Sequence, residues 1–132
     1  MAKITQDIKD IAAKARPCIM ATATRDGKPN GVPIAFFKII SDDEIILADV
    51  HMQKTRQNID ENPMVAVAFW STEVHYGYQL KGKARVETSG KILDETVRWL
   101  EEKGRHPKAV VVVKVDEIYY IGGSKDSTKR LD

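Results

Sequence analysis

Residues 44–70 read EIILADVHMQKTRQNIDENPMVAVAFW and contain the most specific pattern of structural elements in the chain. Its first run, EIILAD, and its last, MVAVAFW, are short and almost wholly apolar, which predicts two buried strands. The polar residues at about 52–61 predict a short helix between those strands. That helix must stop at Asn62, because a residue before proline, here Pro63, is disfavoured in the helical region. The stretch therefore predicts a strand, a short helix and a strand in direct succession.

Upstream of this stretch, the sequence predicts one helix followed by a hairpin. Ile4, Ile8, Ile11 and Ala15 recur at helical spacing with charged residues between them, which indicates an amphipathic helix that ends before Pro17. The strand-like runs CIMATAT and GVPIAFFKI flank a polar gap that contains Asp-Gly, a hairpin signal. A second polar turn, SDD, leads into EIILAD.

Downstream, a long strand, a helix and a final strand are predicted. HYGYQLKGKARVET is the long strand, with Gly77 and Gly82 as expected bulge points. Ser89 is the expected N-cap of the next helix, and Gly104 is its expected terminator. The apolar stripe of that helix comprises Ile92, Leu93, Thr96, Val97 and Leu100. AVVVVKVDEIYYI is expected to be buried on both faces in its first half, and the polar tail after it is expected to be disordered.

Together these segments amount to six strands, with helices at the start, in the middle and late in the chain. Short hairpin connections favour antiparallel pairing, and many strands in a chain of 132 residues favour closure into a barrel, which removes exposed edges. The pattern predicts a mainly β (α+β) fold, a six-stranded antiparallel barrel with flanking helices, in one domain over residues 1–132.

Composition excludes several functional classes. The 21 Lys and Arg residues against 19 Asp and Glu give a net charge of +2, too balanced for a dedicated nucleic-acid binder. Cys18 is the only cysteine, so no internal disulfide can form, and its apolar setting predicts a buried thiol. No run approaches the roughly 20 apolar residues that span a membrane, and MAKITQDIKD lacks a signal-peptide core. We expect a cytoplasmic protein without nucleic-acid or membrane partners.

Lys54 lies in the first turn of the predicted short helix, where positive charge opposes the helix dipole. No acidic residue lies three or four positions away, whereas Arg56 has Asp60 four residues on for a surface ion pair. Lys54 is either simply solvated or part of an anion site, in which helix N–H groups, dipole and lysine attract the same ligand. Thr55 would add a hydroxyl donor. Since no glycine-rich P-loop is present, a phosphate monoester suits such a site better than a triphosphate.

The histidines and aromatic residues indicate no catalytic arrangement by their spacing. His51, His75 and His106 lack metal-ligand spacing, and no metal site is expected. His51 adjoins the candidate anion site, where a polar residue at a helix start is its simplest interpretation. The aromatic candidates for stacking on a ligand ring are Trp70, Tyr76 and Tyr78. For each of them singly, packing in a core or an interface is the favoured interpretation.

The order of three segments, RPCIMATATRDGKPNGVPIAFFKI, EIILADVHMQKTRQNIDENPMVAVAF and YQLKGKARV, resembles the pyridoxamine 5′-phosphate oxidase-like, FMN-binding split-barrel superfamily. Within it, the chain is most similar to the small FMN-binding proteins of anaerobes. The resemblance covers roughly residues 10–120 and implies a split β-barrel that is homodimeric, with an FMN at each end of the interface between the two subunits.

The resemblance also implies which residues bind the cofactor. Lys54 and Thr55 would hold the FMN phosphate. Two neighbouring strands would run past the flavin ring, and the residues implied there are Gly31, Val32, Pro33, Ile34, Ala48, Asp49 and Val50. For GVPIAFF the alternative is plain strand core, and for Asp49 it is a helix N-cap; both alternatives stay open on the residues alone.

The activity implied is that of a redox flavoprotein that transfers electrons or reduces a small substrate through non-covalently bound FMN. Its partner would be a small-molecule substrate or a redox partner protein. The alternatives are a pyridoxamine 5′-phosphate oxidase-like oxidase and a non-catalytic flavin or haem carrier. Two departures disfavour vitamin B6 oxidation: GVPIAFF lacks the arginine of the oxidase proper, and the chain lacks its C-terminal segment with Trp and Arg. For the tail, the alternative to the expected disorder is that Lys125, Lys129 and Arg130 approach a phosphate or the partner subunit.

Overall fold

A computed structural model describes residues 2–132, which contain seven strands and three helices. The helices are α1 (Gln6–Lys14), α2 (Lys54–Glu61) and α3 (Lys91–Glu101). The strands are β1 (Cys18–Ala23), β2 (Pro29–Ile34), β3 (Phe37–Ile39), β4 (Glu44–Asp49), β5 (Met64–Ser71), β6 (Tyr76–Glu87) and β7 (Ala109–Gly122). Strand, short helix and strand follow one another over β4, α2 and β5, as residues 44–70 predict.

The strands form one antiparallel sheet in the order β2-β1-β5-β6-β7-β4-β3. The sheet curls into a half-barrel, which confirms the predicted mainly β fold with flanking helices. The predicted count of six strands is wrong for residues 2–132, because GVPIAFFKI is two strands. β2 pairs with β1 at one edge of the sheet, and β3 pairs with β4 at the other. Between them the carbonyl of Phe36 accepts a hydrogen bond from the Ala48 N–H at 2.9 Å, so the chain crosses from edge to edge there.

Apolar residues from the concave face of the sheet and from α1 form the core. Ile4, Ile8, Ile11 and Ala15 are all buried, as their spacing predicts, and the hydroxyl of Thr5 caps α1 by accepting the Ile8 N–H. The first five residues of β7 are buried on both faces, because α3 covers the side that the barrel interior does not. The core is thus continuous from α1 to β7.

Of the four bulge and cap positions predicted from the sequence, Gly82 and Gly104 are confirmed, and Gly77 and Ser89 are wrong. The register of β6 against β7 shifts at Gly82, which confirms a bulge there. Gly77 lies in unbroken register with β5, and a Cβ there would lie 1.9 Å from the Phe69 carbonyl oxygen, so close approach requires the glycine. The N-cap of α3 is Gly90, with φ of +101°, rather than Ser89. Gly104, with φ of +69°, ends the turn after α3 as predicted.

The C-terminal tail folds back on β7, so the expectation of disorder is wrong. Tyr120 and Thr128 form a backbone hydrogen bond of 2.6 Å, and the Leu131 N–H donates to the Ile118 carbonyl at 2.9 Å. The Asp132 carboxylate accepts a further bond from the Ile118 N–H at 3.2 Å. Backbone pairing needs no apolar periodicity, which is why the sequence did not reveal it. None of the helices in residues 2–132 is long and apolar enough to cross a membrane.

Candidate functional site

A cleft of about 550 Å³ opens between β2, the end of β4 and the start of α2. Its lining comprises Val32, Pro33, Ile34, Ala35, Phe36, Ala48, Val50, His51, Met52, Gln53, Lys54, Thr55 and Arg105. Seven of the nine residues proposed from the sequence lie in this lining; the other two, Gly31 and Asp49, do not. The geometry thus brings the two implied groups, the ring-lining strands and the phosphate-binding pair, to one cavity.

The crossover from β2 to β3 builds one wall of the cleft. Val32 and Ile34 turn toward the barrel interior, opposite Met20 and Cys18 of β1, and the exposed Pro33 lies at the rim. Within residues 2–132, β2 pairs with β1 alone, so its other edge carries backbone N–H and C=O groups that no described strand pairs with. The wall therefore combines apolar side chains with free backbone donors and acceptors.

The start of α2 forms the opposite, polar end of the cleft. Gln53 is the N-cap residue and makes no side-chain capping bond, so the first N–H groups of α2 have no side-chain partner at that position. Lys54 is exposed and forms no ion pair with a carboxylate among residues 2–132. The Thr24 hydroxyl and, more weakly, Lys54 hold the pKa of the nearby Asp26 carboxyl below its usual range. Positive potential at this end is therefore only partly compensated by the protein itself.

Thr55 differs from Lys54 because it is almost fully buried, at 3% exposure. Its hydroxyl oxygen accepts a hydrogen bond of 3.3 Å from the Asn30 side-chain amide. Within residues 2–132 that hydroxyl donates to no protein acceptor, so its proton is available to a ligand in the cleft. Thr55 thus offers one oriented donor beside the N–H groups of α2.

The Asp49 side chain makes structural contacts and does not line the cleft. Its carboxylate is fully buried, accepts the Met52 N–H at 2.9 Å and pairs with the Arg56 guanidinium at 2.6 Å. The predicted pairing of Arg56 with Asp60 is therefore wrong, because the Arg56 side chain turns back over the helix start toward β4. Gly31 lies on the exposed side of β2, opposite Ala21.

Six residues of the lining were not among those proposed from the sequence, namely Ala35, Phe36, His51, Met52, Gln53 and Arg105. Arg105 follows Gly104, whose left-handed φ turns the chain after α3 toward the cleft, so a second cation reaches the site from a distant segment. Phe36, in the crossover, packs its ring edge-on against Trp99 with centroids 6.3 Å apart. The only sequence signal for Arg105 was the glycine before it, which predicts a helix end but not its destination.

The remaining aromatic candidates lie elsewhere. A second cavity of about 340 Å³ near the β5–β6 hairpin is lined by Trp70, Tyr76 and His75, among others. Tyr78 is buried and donates its hydroxyl hydrogen bond to Asp7 of α1. Within residues 2–132 no group of three or more His, Cys, Asp or Glu side chains is arranged to hold a metal ion.

One protein family and one curated relative match most of the chain. Residues 4–122 match the family model described as pyridoxamine 5′-phosphate oxidase. An uncharacterised protein of Methanocaldococcus jannaschii is 35% identical over 115 residues, which is 83% of this chain and 76% of that protein.

Two solved structures share the fold of this chain. The crystal structure of HupZ from Group A Streptococcus superposes with a TM-score of 0.83 at 28% identity, covering 94% of this chain and 98% of that one. An FMN-binding protein from Syntrophomonas wolfei has a TM-score of 0.79 at 20% identity, covering 89% of this chain and 86% of that one, which supports the fold. The resemblance predicted from the sequence is confirmed, and the chain belongs to the pyridoxamine 5′-phosphate oxidase family.

Proposed function

We propose that this chain is an FMN-binding redox protein that acts as a homodimer and transfers electrons or reduces a small substrate. The observation that carries the proposal is the cleft itself, in which apolar walls end at an uncapped helix N-terminus with Lys54 and Thr55. This distribution matches a ligand with a flat, largely apolar ring at one end and a phosphate monoester at the other.

The phosphate end is supported by three attractive contributions at one place. The N–H groups at the start of α2 and its dipole favour an anion. Lys54 opposes that dipole when the site is empty, but adds to the attraction when a dianion is present. The Thr55 hydroxyl retains a donor for which the protein supplies no acceptor among the described residues.

The proposed binding of the flavin ring is supported by the residues of β2 and β4 at the other end of the cleft. Val32, Ile34 and Ala48 are small or branched apolar residues that bound a cavity within the range of ligand pockets. The free backbone edge of β2 supplies donors and acceptors for the polar rim of a flavin. Bound FMN would supply the redox chemistry, while the protein binds it, orients it and controls access to it. Arg105 at the cleft favours a substrate or partner that carries negative charge.

The proposed homodimer is supported by the character of one surface. This surface is the convex side of β2, β1 and β5, which we call the apolar outer face. Its residues are Ile19, Ala21, Ala23, Gly31, Pro33, Met64, Ala66, Ala68 and Trp70. None of them is charged, and Met64 and Trp70 are 47% and 46% exposed. An uncharged face this continuous is typical of an interaction surface. Because Pro33 belongs both to this face and to the cleft rim, a second copy seated there would border the cofactor site.

The absorption spectrum of the purified protein tests the proposal directly. A flavin spectrum, with FMN identified after release by denaturation, is the expected result. A protein that is colourless and takes up no added FMN would contradict it. A haem spectrum instead would favour the carrier alternative, and oxidation of pyridoxamine 5′-phosphate by the FMN-loaded protein would favour the oxidase alternative.

A further inference from the structure

Four polar side chains, which we call the polar seam, lie between α2 and the β1–β2 hairpin. They are Thr22, Asn30, Thr55 and Asn58. Thr22 and Asn30 face each other across the two strands, and Thr55 and Asn58 lie one turn apart on the helix. Thr22, Thr55 and Asn58 are at most 3% exposed, so this is a buried contact between polar groups in an otherwise apolar interior.

The hydrogen bonds of the polar seam converge on its two hydroxyls. The Asn58 amide donates to the Thr22 hydroxyl at 3.0 Å. The Asn30 amide lies between the two threonines, 3.4 Å from the Thr22 oxygen and 3.3 Å from the Thr55 oxygen. Among the residues that the structure describes, Asn30 is thus the one that links the strand pair to the hydroxyl at the cleft.

Stability alone does not explain the polar seam. Within residues 2–132 the buried side-chain oxygen of Asn58 has no hydrogen-bond partner, which is unfavourable because a buried acceptor also loses its hydrogen bonds to water. Apolar residues of similar size would avoid that cost, and buried polar groups retained despite such a cost occur typically where a unique geometry is needed. The polar seam fixes the orientation of the Thr55 hydroxyl. Because this hydroxyl accepts a hydrogen bond from Asn30, it must direct its own proton elsewhere.

We propose that Asn30 is a positioning residue: its amide holds the Thr55 hydroxyl so that the proton points into the cleft, toward the phosphate of the ligand. Asn30 thereby contributes to a preference for FMN over riboflavin, which has the same ring system and no phosphate. This inference rests on the proposed phosphate site at the start of α2. It adds Asn30 of β2 to that site. Asn30 acts through its hydrogen bond to Thr55 rather than through a contact with the ligand.

The test compares dissociation constants for FMN and for riboflavin in wild type, Thr55→Val, Asn30→Leu and the double variant. Asn30→Leu should weaken FMN binding about tenfold and leave riboflavin binding unchanged. In the Thr55→Val background the same substitution should have no further effect, because the hydroxyl it orients is gone. Asn30→Ala provides a second route to the same measurement if the leucine variant does not fold, and thermal melting monitors both.

The outcomes separate this inference from the proposed function. If the wild type binds riboflavin as tightly as FMN, the phosphate site itself is wrong. If Thr55→Val loses the FMN preference but Asn30→Leu keeps it, the phosphate site stands and the role of Asn30 is overturned. Equal weakening of both ligands by Asn30→Leu or Asn30→Ala would show a merely structural role and would also overturn it.

Discussion

The carboxylate of Asp49, at the end of β4, accepts a hydrogen bond of 2.6 Å from the guanidinium of Arg56 in α2. The Asp49 side chain is fully buried, whereas that of Arg56 is 27% exposed. The same carboxylate accepts the Met52 N–H, so it fixes both the loop and the helix that follow β4. The cleft takes residues from β4, the loop and α2, and this pair therefore sets its shape.

Arg56→Met should lower the free energy of unfolding by about 3 kcal/mol, because it leaves a buried carboxylate without its charged partner. Chemical denaturation followed by circular dichroism measures the change. Arg98→Met, at an exposed arginine of α3, is the matched control and should change stability by less than about 0.5 kcal/mol. Equal effects of the two substitutions would remove the structural role assigned to the pair.

Lys54→Ala should weaken FMN binding about ten- to a hundredfold, the value of a charge-assisted contact to phosphate. Fluorescence titration with FMN measures this. The chain offers a close control in Lys91, which is also the first residue of its helix, α3, but pairs with Glu95 at 3.9 Å and lies outside the cleft lining. Lys91→Ala should leave FMN affinity unchanged, and a similar loss in both variants would argue against a phosphate at Lys54.

The contrast between Lys54 and Asn30 shows which parts of the site can be predicted from the sequence. The position of Lys54 at the start of a helix was predictable, because strand, helix and Asn-Pro succeed one another within residues 44–70. The contact between Asn30 and Thr55 depends on the register of β1 against β2 and on α2 packing over both strands, which local patterns do not encode. Arg105 was likewise unpredictable, since nothing in its neighbourhood specifies the direction in which the chain leaves α3.

The thiol of Cys18 should be inert in the native protein. Burial raises its pKa from 9.0 to about 12, so near neutral pH the reactive thiolate is almost absent. Reaction with a chromogenic disulfide reagent should be negligible at about pH 8 and should accelerate with denaturant in parallel with unfolding. Fast labelling without denaturant would show that β1 opens locally and that the thiol is not confined to the core.

Stability at alkaline pH should depend on Tyr78. Burial, and then the neighbouring Asp7 carboxylate, raise the pKa of Tyr78 above its ordinary value of 10.0. A raised pKa in the folded state means that the stabilisation is complete below the unfolded value and is lost as the pH rises above it. Tyr78→Phe should be less stable than wild type by about 1.5 kcal/mol near neutral pH, and this gap should narrow above about pH 10. A gap independent of pH, measured by urea unfolding across that range, would contradict the linkage.

Ala21 lies near the middle of the apolar outer face, opposite Gly31 on β2 and Ala66 on β5, so a charge there should disrupt a dimer formed through this face. Ala21→Arg should sediment as a monomer while retaining the wild-type circular dichroism spectrum, because a buried unpaired charge at an interface is strongly unfavourable. Ala13→Arg, at an exposed alanine of α1 away from this face, should leave the assembly unchanged.

FMN affinity measured on the same Ala21→Arg protein then separates two arrangements. If a second copy completes the cofactor site at Pro33, the monomeric variant should bind FMN more weakly, although Lys54 and Thr55 are unaltered. A monomer with unchanged affinity would show that each chain holds its ligand alone. A dimer that persists in Ala21→Arg would place the interface on another surface, since an arginine cannot be accommodated at the centre of a packed apolar contact without a partner.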